Sequence, residues 1–350
     1  MLIRKLRLSS ALACALAGRS TAQDDASPKR GLSYVGDTHA ADYDILLSSN
    51  SPLSWYYNWS PYPVSSDIFQ ADIEFVPTLH GTDSLDGDIQ QLDNLDDSSK
   101  HLFTFNEPDG TTSSGGSSIE PQDAAKAYIE QIVPLRDRFQ ISHPSVTGSS
   151  RGLQWLDDFN SSCWEIDSES GCPADFVTAH WYGDFAGLSS WLGQLAGWYN
   201  KSGSGLDGDL QVWISELALV QASDDTTFAM MNQTLPYLDS LDYVAKYSWF
   251  GAFRPNEAND WTGDGVSLFQ NDGGLSQLGA YYLGGQANGF DEGDKGNGAN
   301  GNGTDDSGDT NDGDDNGTDD DANAGTGPGI SAAAIYIVAA MGCAWNVWIM

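Results

Sequence analysis

The stretch HLFTFNEPDG, residues 101–110, decides how this chain is read. Its apolar run closes on Asn106 and Glu107, and Pro108 follows at once. Steric clash with a proline ring pushes the preceding residue toward extended geometry. Glu107 is therefore expected to end a strand that begins near His101, with its carboxylate at the strand tip beside Asn106. A second run, LQVWISE (210–216), also ends on a glutamate, Glu216. Six more runs share the extended character: GLSYV (31–35), LSWYYNW (53–59), IEFVPTL (73–79), SVTGSS (145–150), FVTAHWY (176–182) and AKYSWFG (245–251).

Helix-like segments lie between the later runs. In PQDAAKAYIEQIVPLRD (121–137), Pro121 suits a first turn, and Ala125, Tyr128, Ile129 and Ile132 share one face. GLQWLDDF (152–159), LSSWLGQLAGWYNKSG (188–203) and TTFAMMNQTLPYLDSL (226–241) occupy the corresponding positions further on. Strand followed by helix, repeated, implies a parallel sheet, and eight such units over roughly 250 residues is the size of a (β/α)8 TIM barrel. An open doubly wound sheet is the competing architecture, but no glycine-rich phosphate fingerprint follows the first run. One catalytic α/β domain over 31–290 is expected.

The flanks have other characters. Residues 1–22 open with Arg4, Lys5 and Arg7 before a short apolar run, the pattern of a secretory signal peptide. Residues 23–30 end in Lys29 and Arg30 and read as a propeptide-like segment with a dibasic processing site. From 291 to 329 the composition turns to Gly, Asn, Asp and Thr, too poor in apolar groups to offset chain entropy, and an extended acidic spacer is expected. Residues 330–350 are apolar and match a GPI-anchor signal, for which Asn316 is the candidate attachment residue. N-glycosylation sequons at Asn160, Asn200, Asn232 and Asn302 agree with export; the one at Asn58, at a strand end among aromatics, is expected to be unused. Setting aside Cys14 and Cys343 in the two end segments, Cys163 and Cys172 are left to pair as a disulfide in an oxidising compartment. The protein is thus expected at the cell surface, held to the membrane or wall by a GPI anchor, and acting as a monomer.

Fifty acidic residues against 15 basic ones, a formal charge of −35, exclude a nucleic-acid partner, since phosphate binding needs clustered Lys and Arg. No metal or organic cofactor is indicated, because no HExxH, P-loop or dinucleotide pattern occurs. In a barrel the C-terminal strand ends converge on one face. Those ends carry Asn58 and Trp59, His80, Asn106 and Glu107, then His180, Trp181 and Tyr182, then Glu216, and finally Trp249 and Phe250. Two carboxylates among aromatics are the equipment of glycoside hydrolysis, one protonating the leaving oxygen and the other attacking the anomeric carbon or activating water. Their environments must differ, since one carboxyl holds a proton while the other stays ionised. Partial burial beside another carboxylate would raise Glu107, making it the acid/base, and neighbours such as His180 would hold Glu216 as the anionic nucleophile.

In order and spacing, SWYYNWSP, FVPTLHG, FNEPD, HWYG, WISELA and YSWFG resemble glycoside hydrolase family 128, whose fungal members are β-1,3-glucanases, over residues 31–285. The resemblance implies a clan A barrel of retaining enzymes with the acid/base after the fourth strand and the nucleophile at the end of the seventh, at Glu107 and Glu216. It implies that Asn106 contacts the sugar hydroxyl beside the reacting carbon and that Trp249 is a stacking platform, with Tyr182, Trp181 and Trp59 as further sugar contacts. Ser215 departs mildly from the threonine-like residue that many relatives carry. A secreted, retaining endo-β-1,3-glucanase is the leading expectation. A β-1,3-glucanosyltransferase, sharing the covalent intermediate, and a non-catalytic glucan-binding wall protein are the alternatives.

Overall fold

The computed structural model describes residues 28–296, apart from 37, 67, 69–71 and 202. The expected signal, the spacer from 297 onward, the apolar tail, Asn302 and Asn316 all lie outside the described residues. The strands are β1 (Arg30–Ser33), β2 (Trp55–Tyr57), β3 (Glu74–Phe75), β4 (Thr78–Leu79), β5 (His101–Asn106), β6 (Gln140–Ser145), β7 (Val177–Tyr182), β8 (Val212–Ala218) and β9 (Val244–Trp249). The helices are α1 (Tyr43–Leu46), α2 (Leu85–Leu92), α3 (Pro121–Ala127), α4 (Ser150–Ile166), α5 (Phe185–Tyr199), α6 (Asp224–Ser240) and α7 (Gln277–Tyr282). None among the described residues is long and apolar enough to cross a membrane.

All pairings between these strands are parallel. They form a six-stranded sheet, β3-β2-β1-β9-β8-β7, and a three-stranded one, β4-β5-β6. Two seams separate the sheets. At the first, Pro77 divides the run 73–79, and the freed segment bonds both ways: Val76 N donates to Tyr56 O at 2.9 Å and Phe103 N to Pro77 O at 3.0 Å. At the second, parallel bridges join Ser142 to Phe176 and Val146 to Ala179, beside β6 and β7.

Alternation along the strands sorts the side chains into two cores. Trp55, Tyr57, Val76, Phe103, Phe176 and Trp213 form a separate inner cluster, while Leu102, Ile141, Val177, Val212 and Ile214 join the helix residues Leu188, Leu192, Leu195 and Leu235. The inner cluster is packed so closely that a Cβ on Gly31 would lie 2.1 Å from the Trp55 indole, which only glycine tolerates. The aromatics of this cluster are therefore filling.

Three expectations need correction. The fifth strand covers 140–145, not 145–150, and contains Pro144, whose missing N–H argues against a strand when only the sequence is read. The helix expected over 121–137 is α-helical only to Ala127, widens to a π turn at Tyr128–Ile132 and tightens to 3-10 at Val133–Asp137. Pro134 accounts for this, because its ring crowds the carbonyl four residues back and offers no N–H to it.

The third correction concerns the dibasic pair. Arg30 belongs to β1, its side chain 8% exposed, with Nη1 donating to Tyr282 O at 2.7 Å, Nε to Tyr247 Oη at 3.1 Å and Nη2 3.6 Å from Asp239. Lys29 Nζ donates to the carbonyls of Leu238, Asp239 and Leu241, at the α6 C-terminus where unpaired carbonyls favour a cation. A cut after Arg30 would remove part of the fold, so the domain boundary lies before Lys29. At the other end Asp294 O accepts from Leu275 N at 2.8 Å and Lys295 pairs with Asp272 at 3.0 Å, carrying the domain past 290.

Cys163 and Cys172 form a disulfide with Cα atoms 5.4 Å apart, tying the end of α4 to the segment before β7. His143, for which the sequence offers no partner, is buried beneath it and donates from Nε2 to Cys172 O at 2.8 Å, with Nδ1 3.2 Å from Tyr199 Oη. His39 and His101 likewise have acidic partners, Glu257 at 3.4 Å and Glu74 at 2.8 Å. Of the sequons described, Asn200 and Asn232 are exposed and Asn160 is half-buried.

Candidate active site

Glu107 follows β5 directly. It does not take the extended geometry expected before Pro108: its φ is +39°, and Phe105 has φ +29°. Two register shifts disturb the β5–β6 ladder just before it, at Leu102/Thr104 and Thr104/Asn106. The turn is held by Glu107 N donating to Ser145 O at 2.7 Å and by Gly110 N donating to Glu107 O at 2.8 Å. Left-handed backbone at non-glycine residues costs of order 1–3 kcal/mol each, and here it aims one carboxylate. Asp109, its side chain fully buried, secures the same loop to the end of β6 by accepting from Thr147 N at 3.0 Å and from the Thr147 hydroxyl.

Glu216 lies on β8, opposite His180 of β7 across a register shift. It is 7% exposed, and polar groups meet both of its oxygens. Trp59 Nε1 donates to Oε1 at 2.7 Å, Tyr182 Oη donates to Oε2 at 2.6 Å, and His180 Nε2 stands 3.5 Å from Oε1. Trp59, at φ +57°, reaches it from the loop after β2. His180 turns its other nitrogen to Glu107, with Nδ1 2.9 Å from Oε1. The imidazole therefore bridges the two carboxylates, and ligand atoms of Glu107, His180 and Glu216 lie within 4.8 Å of one another. Among the described residues this is the His and carboxylate cluster with metal-ligand spacing, and its members already pair with one another.

Burial raises Glu107 above the ordinary carboxylate value; His180 opposes this, while the charges of Glu216 and Asp109 add to it. Burial alone would lower His180, but the charge of Glu216 and the hydrogen bond and charge of Glu107 bring it above the usual imidazole value. Two groups that both hold protons tightly at 2.9 Å share one between them. Burial, then the charge of Glu216, lifts the Tyr182 phenol well above its ordinary value, keeping it a donor.

The remaining candidates are placed differently. Asn106 Nδ2 and His80 Nε2 both meet the Gly115 carbonyl, at 3.0 and 3.1 Å, bracing the loop after Glu107. Burial lowers the pKa of His80. Asn58 is engaged within its own turn, donating to Tyr62 O at 2.8 Å and accepting from Ser60, so it positions the Trp59 loop. Trp181 donates to Asp184 O at 3.0 Å and packs on Gly183 and Gly187 in its own loop. Trp249 is 1% exposed and donates to Val266 O at 2.9 Å, leaving no face for stacking. Its neighbour Phe250 takes the place beside the site, edge-on to Trp59 at 5.8 Å and to Tyr182 at 5.9 Å. Trp261, standing alone in a polar loop, meets Tyr182 at 4.5 Å; sequence reading missed it because it lies on no strand.

Parallel strands alternating with helices, with two bridged glutamates at strand ends, define a glycoside hydrolase core. Residues 31–282 match the family model described as "Glycosyl hydrolase catalytic core". Solved structures resemble the chain over about the same span. A family 128 (subgroup IV) endo-β-1,3-glucanase from Lentinula edodes is 28% identical, covering 73% of this chain and 100% of its own, with a TM-score of 0.59. A family 128 (subgroup III) curdlan-specific exo-β-1,3-glucanase from Blastomyces gilchristii, in complex with glucose, is 26% identical, covering 74% and 99%, at 0.58. A family 128 (subgroup VII) oligosaccharide-binding protein from Cryptococcus neoformans, 20% identical and covering 74% and 93%, shares the fold at 0.55. No protein of curated function matches the sequence. The chain belongs to the glycosyl hydrolase catalytic core family, and within it to glycoside hydrolase family 128.

Proposed function

We propose that this chain is a retaining endo-β-1,3-glucanase whose two sheets close, at their seams, into a (β/α)8 barrel. The observation that carries the reading is the approach of the Glu107 and Glu216 carboxylates to within 4.8 Å, with His180 between them. Retaining glycosidases hold their two carboxyl groups about 5–5.5 Å apart, whereas inverting ones leave about 6.5–9.5 Å for a water. Glu107, with its raised pKa, protonates the glycosidic oxygen as Glu216 attacks the anomeric carbon. The aglycone leaves, and a glycosyl ester on Glu216 remains. Glu107, now ionised, takes a proton from water, which attacks the same carbon and returns Glu216 to its carboxylate. Trp59 and Tyr182 hold Glu216 in place for both steps.

The relatives named as β-1,3-glucanases support the substrate, and the L. edodes enzyme, named as endo-acting, supports the cleavage mode. Secretion and a GPI-anchored place at the cell surface remain part of the proposal, supported by the disulfide, which suits an oxidising compartment. The fold shared with the oligosaccharide-binding protein favours a second reading, in which the cleft binds glucan without turnover. Reducing-end release from laminarin by the full chain, beside Glu107→Gln and Glu216→Gln, separates them. Cleavage by wild type and a loss of several orders of magnitude in each variant is expected. Binding without cleavage or transfer by wild type would install the second reading, and early products of mainly one size would replace endo by exo action.

A further inference from the structure

A line of rings leads outward from Glu216. Trp59 and Tyr182 both donate to its carboxylate, Phe250 stands edge-on to each of them, and Trp261 extends the line one ring beyond Tyr182 at a centroid distance of 4.5 Å. The first three are half-buried, whereas Trp261 is 40% exposed. A single exposed apolar side chain is unremarkable by itself. This one differs in how it is held.

The loop that carries it is fixed from two sides. Asn259 Oδ1 accepts from Trp261 N at 3.0 Å and Thr262 N at 2.8 Å. Gln221 Nε2 donates to the carbonyls of Asp260 at 2.6 Å and Trp261 at 3.0 Å, and Gln221 N donates to Thr262 O at 2.9 Å. Gln221 adopts φ +55°, a strained value for a residue with a side chain, and it lies on the segment that continues from Glu216. The Trp261 loop is thereby referenced to the nucleophile's own strand. The indole Nε1 makes no hydrogen bond among the described residues and can donate to a hydroxyl.

We infer that Trp261 is the platform of an outer glucan subsite, covering the apolar face of a glucosyl unit beyond the first two counted from Glu216. The inference rests on the reading of the cleft as one that takes β-1,3-glucan. A rigid, half-exposed indole loses little conformational entropy on binding and buries its face against the C–H face of the sugar. It therefore selects for chain length: oligomers long enough to reach it gain affinity that shorter ones do not.

The test uses binding, so that turnover does not intervene. Affinities for laminaribiose and laminarihexaose are measured by calorimetry on Glu107→Gln, alone and combined with Trp261→Ala or Trp261→Phe. The hexaose-to-biose affinity ratio should fall about tenfold with alanine and recover largely with phenylalanine. An unchanged ratio overturns the inference, as does an equal loss for both oligomers, which would make Trp261 only a support for Tyr182. Absence of hexaose binding to Glu107→Gln would overturn it too. Failure of the hydrolase reading is recognised separately, by wild type releasing no product while the length-dependent binding persists.

Discussion

Replacing Glu107 by alanine removes the proposed proton donor and leaves a space beside His180 Nδ1, which faces the Glu107 carboxylate at 2.9 Å in the intact site. It leaves Glu216 and its contacts to Trp59 and Tyr182 in place. General acid–base catalysis contributes about 10²–10⁴-fold, and turnover of laminarin, whose leaving sugar needs a proton, should fall by that factor. A dinitrophenyl β-laminaribioside needs none, so its first step should survive and release a burst of phenol while the glycosyl ester accumulates. Azide should then restore turnover, since it needs no base and, as an anion, suits the space beside a histidine whose pKa is raised by Glu216 and Glu107 in the intact site. The product should be the β-glycosyl azide, through two inversions at one carbon. The decline of activity at high pH should disappear with this substrate, because the raised pKa of Glu107 otherwise governs it: the acid is competent below that pKa and lost as pH rises through it. An α-azide, or folded protein showing neither burst nor rescue, would refute the assignment.

Two further predictions concern stability. Burial lowers His143 to about 4; with an unfolded value near 6.5, its contribution is complete above that value and is lost as pH falls toward 4, about 2 kcal/mol of it by pH 5. Urea unfolding of wild type and His143→Gln across pH 7 to 5 should show the gap between them narrowing as pH falls, and a constant gap would contradict the burial argument. Arg30→Gln should cost about 2–3 kcal/mol, because Tyr282 O and Asp239 lose a buried charged donor; an unchanged unfolding midpoint would return the Lys29–Arg30 pair to the status of a linker.

Much of the site could be read from sequence because a strand tip has a simple signature. An apolar run that stops on a polar residue marks Asn106, Glu107, His180, Tyr182 and Glu216 without knowledge of what pairs with what. Domain limits were less legible, since Lys29 and Arg30 carry the charges of a processing site and only their burial against α6 and α7 reveals another use. The aromatic signal was ambiguous for a related reason. Trp55 and Trp213 look from sequence like Trp59, and only the packing assigns the first two to the interior.

Register was the deeper obstacle, and it decides the chemistry. In β8, Trp213 belongs to the inner aromatic cluster, and Val212 and Ile214 belong to the core shared with the helices. Strict alternation would send Glu216 the way of Ile214, toward the helices. The ladder instead runs from Ala179 opposite Ile214 to His180 opposite Glu216, one extra residue on β8, and Ser215 is that residue. Its main chain is pinned by Tyr57 Oη at 3.0 Å and Ser33 Oγ at 3.2 Å, both donating to the Ser215 carbonyl. The bulge turns Glu216 inward to meet His180 and lets Leu217 take up the outward place again among the helix-facing residues. The same strand shifts against β9 between Ile214 and Leu217, which bears on why Trp249 is buried while Phe250 reaches the site. Bulges gather next to active sites because they re-aim single side chains without moving the sheet. The sequence WISE names Glu216, and the extra residue before it is what brings that carboxylate toward His180 and Glu107.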